Sequence, residues 1–237
     1  MKPVVFLVAS LMISASAFAQ SEPEVMNPYG SSEGFLVQLT NSGFSLGAYL
    51  TRAISEHGSF HLDASIGAGK DEREARFFRF GSSFVPGKAN YLLMMPVQAG
   101  FSQRLFSETI EDNFRPFVSF TTGPTVGWQY PYFSDCDGTG NLNEAFECPD
   151  GRTERVYSVF EALPRGEFRM GFGTTFAFGA FFGDGEYTTQ GIRLGYSLNY
   201  FFEGVQLMER RIEETPRRFI GSPTITLTFG RLLTARN

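Results

Sequence analysis

Histidine is almost missing from this chain: His57 and His61 are the two in 237 residues. Cysteine is as scarce, with Cys136 and Cys148 alone. None of the close His/Cys spacings that mark a zinc or iron centre can be assembled from them. Lysine occurs three times, so positive charge is nearly all arginine, and the formal net charge is −5. That balance excludes a general nucleic-acid binder. Past the first twenty residues every apolar run is broken by Gly, Thr, Gln or Arg, which excludes a helical membrane protein. No nucleophile motif and no phosphate-loop context is present.

What the chain does have is phenylalanine, 27 residues of it against one tryptophan. The run Phe168–Phe182 shows how it is used. Phe168, Met170, Phe172, Thr174, Phe176, Phe178, Ala180 and Phe182 alternate with Arg169, Gly171, Gly173, Thr175, Ala177, Gly179 and Phe181. Alternation at period two is a strand with one greasy face and one small or polar face. The start of the chain adds an address. Lys2, the apolar stretch Val4–Ile13 and Ala17-Phe18-Ala19 form a secretory signal with cleavage expected before Gln20. The residue directly after that cleavage point is Gln20 and not cysteine, so a bacterial lipoprotein anchor is excluded. In an exported chain the two cysteines predict one disulfide, Cys136–Cys148, closing a short surface loop.

The same alternation recurs eight times: Gly34–Thr40, Phe44–Ile54, Ser59–Gly69, Tyr91–Leu105, Phe114–Tyr130, Phe168–Phe182, Gly191–Phe202 and Ile220–Phe229. Arg76–Phe84 and Arg155–Leu163 are candidates to extend these strands or add a ninth and tenth. Pro116 and Pro124 predict local bulges in the fifth. The connections are sorted. Even ones are short (Glu56–Gly58, Phe106–Asn113, Gly183–Thr189), and every long one is odd (Lys70–Asn90, Pro131–Arg165, Glu203–Phe219). Membrane barrels place short turns on the periplasmic side and long loops outside. The expectation is therefore an all-β, closed, antiparallel up-and-down transmembrane barrel of eight strands. A polar leader (20–33) precedes the barrel (34–230), and a short tail (231–237) follows.

With its signal peptide, eight alternating strands, sorted loops and a last strand ending ITLTFG, the chain resembles the small bacterial outer-membrane β-barrel proteins, the OmpA-transmembrane, OmpX and OmpW-like set. The resemblance covers Gly34–Gly230 and rests on pattern. A terminal aromatic is absent, since Phe229 is followed by eight further residues. The resemblance implies an outer-membrane address, insertion by the barrel-assembly machinery, contact with outer-membrane lipids and lipopolysaccharide at the outer loops, a monomer, and no cofactor.

Several residue groups carry chemistry. His61, Asp63, Gln98, Arg104, Arg169, Arg193 and Asn199 share the inward phase. They read either as a polar site or constriction, or as a network filling a narrow interior, which in eight strands holds little more than side chains. Asp135–Glu144 has oxygen ligands at alternate positions, as calcium loops do, but Phe146 stands where the twelfth-position glutamate belongs. Arg73, Arg76 and Arg79, with Arg210, Arg211, Arg217 and Arg218, either grip lipopolysaccharide phosphates or belong to solvated mixed-charge loops. The leading functional expectation is a structural or surface-interaction role through the outer loops. Behind it stand a narrow channel, a lipid A-modifying enzyme, and a soluble barrel holding a lipophilic ligand with its Phe face inward.

Overall fold

The computed structural model describes residues 31–233 apart from 56, 76, 80–81, 107–109, 111–113, 144–145, 150, 152 and 183–187. The signal peptide, nearly all of the leader, Arg76 and the end of the tail lie outside these residues. Among the described residues ten strands form: β1 (Ser32–Thr40), β2 (Gly43–Ala53), β3 (Gly58–Gly69), β4 (Phe77–Arg79), β5 (Ser82–Phe84), β6 (Asn90–Arg104), β7 (Phe114–Pro131), β8 (Glu167–Phe182), β9 (Thr188–Val205) and β10 (Arg217–Leu232). Eight close into an antiparallel barrel in the order β1-β2-β3-β6-β7-β8-β9-β10 and back to β1. The other two, β4 and β5, pair only with each other.

The register sets the barrel's shape. Paired positions run from Ser32 through Thr51, His61, Gly100, Thr121, Thr175 and Ser197 to Ser222. Thr224 pairs with Thr40, so Ser222 comes back to β1 level with position 42, ten residues from Ser32. A stagger of about ten residues at ~3.3 Å over eight strands ~4.8 Å apart tilts the strands by about 40°. That tilt falls in the range of membrane barrels.

The faces divide as the alternation predicts. Phe168, Phe172, Phe176 and Phe178 stand exposed on the outer surface, Phe176 at 58%, beside Leu46, Leu194 and Ile225 of other strands. Ser119, Thr121, Thr224, Thr226 and Thr228 are buried inside, and Thr175 is half-buried beside them. The Phe face inward, which the soluble ligand-binding barrel required, is therefore ruled out. Glycine serves the inner face through close approach. A Cβ on Gly100 would lie 1.9 Å from the Phe120 carbonyl oxygen.

Four expectations are corrected. Arg76–Phe84 yields the separate β4-β5 ribbon instead of a barrel strand. Arg155–Leu163 yields a four-residue helix, α1 (Val159–Ala162), because Ser158 caps it by accepting from the Glu161 N–H, and a 3-10 turn at Leu163–Arg165 follows. Pro116 and Pro124 make no bulge, since both stay in continuous register with β8 opposite Ala180 and Phe172. The barrel reaches beyond its expected ends. It begins at Ser32, and β10 runs to Leu232, so Arg217 and Arg218 are strand residues and Arg231 is not tail.

The wall is uneven in height. β1 has 9 residues, β2 11 and β3 12, whereas β7 and β9 each have 18. At the long-loop end β10 therefore outruns β1, because their pairing stops at Thr40–Thr224. Pro223 follows at once and offers no N–H to a stray strand. Ser222 covers the corner, donating to Asn41 Oδ1 (2.7 Å) and accepting from the Asn41 N–H.

Candidate functional site: a layered lumen beneath an interlocked cap

Inward side chains fill the barrel in layers. Toward the short-turn end, Phe117 stacks on Phe181 with centroids 4.7 Å apart, and the His61 ring lies 6.2 Å from that of Phe117. His61 is buried at 2% exposure and bridges two strands: Nδ1 lies 3.0 Å from Thr51 Oγ1 and Nε2 lies 2.7 Å from Ser102 Oγ. A Ser–His contact is the start of a catalytic dyad, but the third position holds the Thr51 hydroxyl where a carboxylate would be needed to orient the ring for base catalysis. Asp63, two residues on, faces Arg193 instead at 2.7 Å. Arg104 lies at the lower end of β6, opposite Phe117.

The middle layer is a hydroxyl and amide lattice. Gln98 Oε1 accepts from Thr121 and Thr175 (3.1 and 2.9 Å), and Asn199 Oδ1 accepts from Thr125 (2.9 Å). Gly173 makes room for it, because a Cβ there would sit 2.5 Å from Asn199 Oδ1 and 2.7 Å from Thr125 Oγ1. A void of about 40 Å³ remains between Asp63, Gln98, Arg193 and Thr226. A cavity needs ~10–15 Å³ to hold one water, so this one is large enough to be hydrated.

The top layer is apolar. Leu92, Phe201, Val205, Leu207 and Ile220 form one buried cluster, with Phe201, Val205 and Leu207 fully enclosed. Sequence reasoning missed this seal. Its signal was present in Phe201 and Val205, apolar residues in the inward phase of β9. Arg169 lies at the rim, pairing with Glu203 (2.8 Å) and Glu167 (2.7 Å).

Above the rim the three long connections lock together. Backbone pairing continues past the barrel: the Ala89 N–H donates to the Leu207 carbonyl, Tyr132 to Ala89, and Tyr157 to Tyr132. The segment after β9 thereby folds across the mouth, held further by Asn90 Nδ2 on the Gln206 carbonyl (2.7 Å). A charge lattice ties it to the connection after β3. Arg73 reaches Asp71 (2.8 Å) and Glu213 (2.9 Å), and Arg217 reaches Glu213 (2.8 Å) and Asp71 (3.2 Å). Burial pushes the Asp71 carboxyl up, but hydrogen bonds from Arg73 and the charge of Arg217 outweigh it and hold the group below its ordinary value. Lys88 pairs with Glu74, and Arg211 with the buried Glu209. Arg73, Arg211 and Arg217 thus each pair with acidic groups of the cap. Arg210 lines a cleft of about 500 Å³ at the mouth with Arg165, Arg169 and Asp135.

The Cys136–Cys148 disulfide closes the loop between β7 and β8. Asp135 and Asp137 approach Glu154, with one carboxylate oxygen of each lying within 4.8 Å of the others. Burial, then the neighbouring Asp137, pushes Asp135 up, while hydrogen bonds from Thr139 hold Asp137 down. Glu154 is buried and accepts from the backbone N–H groups of Cys136, Asp137 and Asn143. Both its oxygens gather the loop, as a calcium ion would, and Glu154 lies outside the Asp135–Glu144 pattern.

No family model and no curated protein matches the chain. Among solved structures, the crystal structure of neisserial surface protein A (NspA) is similar to it, with 10% sequence identity and a TM-score of 0.42, covering 90% of this chain and 100% of that one. A likeness at that level says nothing of activity. What the chain's own residues establish is a closed eight-stranded barrel with its grease outside, a filled interior and an ordered cap at one end.

Proposed function

We propose that this protein is an integral outer-membrane barrel with a non-conducting interior, whose role is structural or interactive and is carried by the cap. The observation that carries this reading is the sealed lumen: Phe117 and Phe181 at one end, Phe201, Val205 and Leu207 at the other. The outward phenylalanines support lipid as the solvent of the wall, because contiguous exposed apolar surface of that extent is untenable in water. The signal peptide and the sorting of loops support the outer membrane as that lipid. The long loops then face outward and the short turns face the periplasm.

Against a channel stands the buried apolar layer of Leu92, Phe201, Val205, Leu207 and Ile220. Against lipid A chemistry stands the burial of His61 inside the wall, its ring held by two hydroxyls. Purified protein in planar bilayers is expected to give no unitary conductance steps. Regular steps in the wild-type protein overturn the sealed-lumen reading. Cells with and without the protein are expected to yield identical lipid A mass spectra. Heat-modifiable gel migration of detergent-extracted protein tests the membrane barrel itself, and partition into water without detergent refutes it.

A further inference from the structure

The segment after the disulfide loop leaves an apolar face uncovered. Its α1 helix and 3-10 turn bury Ala162 completely and leave Val159, Phe160 and Leu163 exposed on one side. Phe160, at 88%, is the most exposed large hydrophobic among the described residues. The polar flank is formed by Glu161, ion-paired with Arg155, and by Arg165, whose guanidinium lies 4.4 Å over the Tyr157 ring.

The placement of this turn is set by the one tryptophan. Trp128 Nε1 donates to the Leu163 carbonyl (2.9 Å), and its ring packs on Gly166, where a Cβ would come within 2.4 Å of the indole. Trp128 itself points outward from β7 and meets Phe168 edge-on, with centroids 4.4 Å apart. At the other end of the same two strands Phe114 faces Phe182 across the same outer surface. Fourteen residues separate the two aromatic pairs along β7, or about 35 Å across the membrane at ~3.3 Å per residue and a tilt of about 40°. A hydrocarbon layer of ~25–30 Å lies between them, so each pair stands at an interface. Tryptophan is the residue most at home there. The turn hydrogen-bonded to it is therefore held at the outer interface, continuous with the lipid-facing wall.

We propose that residues 158–166 form a membrane foot: Phe160, Val159 and Leu163 insert at the acyl–headgroup boundary of the outer leaflet, with Arg155 and Arg165 at the level of its phosphates. The occupant of this exposed patch is lipid. A short amphipathic turn fixed in orientation by a strand-borne tryptophan inserts without paying the ordering cost of a free peptide. The foot clamps the disulfide loop, and through it the cap, at a set height above the membrane. This inference rests on the membrane reading of the barrel wall.

Site-directed spin labelling separates the two. The described cysteines are paired in a disulfide, so an added cysteine is the labelling site in the oxidised protein. Three variants are reconstituted in vesicles of phosphatidylethanolamine and phosphatidylglycerol: Phe160→Cys, Phe172→Cys on the wall, and Thr139→Cys in the exposed disulfide loop. Accessibility is read to oxygen, which concentrates in lipid, and to a water-soluble nickel complex. The oxygen-to-nickel ratio at position 160 is expected to exceed that at 139 severalfold and to approach that at 172. A lipid-like ratio at 172 with a water-like ratio at 160 overturns the foot and leaves the barrel in its membrane. Water-like ratios at both overturn the two together.

Discussion

Removing one partner of the lumen ion pair tests whether the barrel is filled or wet. Arg193 and Asp63 meet at 2.7 Å, with side chains 8% and 16% exposed. Two unit charges about 3 Å apart attract by about 5–6 kcal/mol at an effective dielectric constant near 20. Most of that is offset by desolvation, so the pair itself is worth little net. Breaking it is different. Arg193→Met leaves the Asp63 carboxylate in the wall without its countercharge, at a cost of about 3–5 kcal/mol. The neighbouring void of about 40 Å³ admits water to the site and brings the expected loss to the lower end, about 3 kcal/mol. That is a shift of about a hundredfold in the unfolding equilibrium. Asp63→Asn, which strands the guanidinium, is expected to cost a similar amount. The double variant is expected to recover to within about 1 kcal/mol of wild type, since it leaves no buried charge. Denaturant unfolding in detergent micelles measures this, with Trp128 as the one indole reporter. Losses below about 1 kcal/mol in both single variants would show the pair to be fully hydrated and would sink the sealed-lumen argument.

Three further outcomes follow from the same geometry. Phe201→Ala removes the fully enclosed ring of the apolar seal and is expected to destabilise the barrel by about 3–5 kcal/mol, read in the same unfolding assay. Replacing both Cys136 and Cys148 by serine opens a bridge across a sequence separation of 12 and is expected to remove about 3 kcal/mol of loop ordering. Protease should then cut within 134–156 while heat-modifiable migration of the barrel is unchanged. Acid should loosen the cap late. The Asp71 carboxyl is held below its ordinary value, so its contribution is complete above an unfolded value of about 3.9 and fades as pH falls through the lower folded one. Hydrogen-exchange protection of 70–89 and 206–216 is expected to hold down to about pH 4 and to fall below it; a loss that begins near pH 6 would assign the cap to other groups.

The wall was legible in the sequence because its signal is local. Phe168–Phe182 alternates strictly, and β8 runs in unbroken register through the whole stretch. The disulfide was legible because two cysteines in an exported chain leave one pairing. Alternation assigns inward and outward phase, but not which inward residues meet. His61 and Asp63 share a face and yet serve different partners, Thr51 with Ser102 and Arg193, because each contact is set by the stagger between strands. The arginines of the loops left two readings open for the same reason: Arg73 and Arg217 find Asp71 and Glu213 only after two connections far apart in sequence fold over the mouth. The turn at Val159–Ala162 was missed because Trp128, distant in sequence, fixes it. Phe201 was passed over because it lies between two other aromatics, Tyr200 and Phe202, whereas its own phase turns it inward.

The short first strand has a consequence for how the molecule comes into being. Each of the other strands pairs with its neighbour in the chain or, for β3 and β6, across one ribbon. The β1–β10 seam alone joins the two ends, placing Gly34 against Gly230. Contacts that distant carry the largest loop-closure cost and form late. The seam is also limited to the nine residues of β1, and near its short-turn end Gly34 faces Gly230 so closely that a Cβ on Gly34 would lie 2.1 Å from the Phe229 carbonyl oxygen. Until it closes, the growing sheet presents two open edges to its surroundings, and the chain's last step is to zip a seam of nine residue pairs.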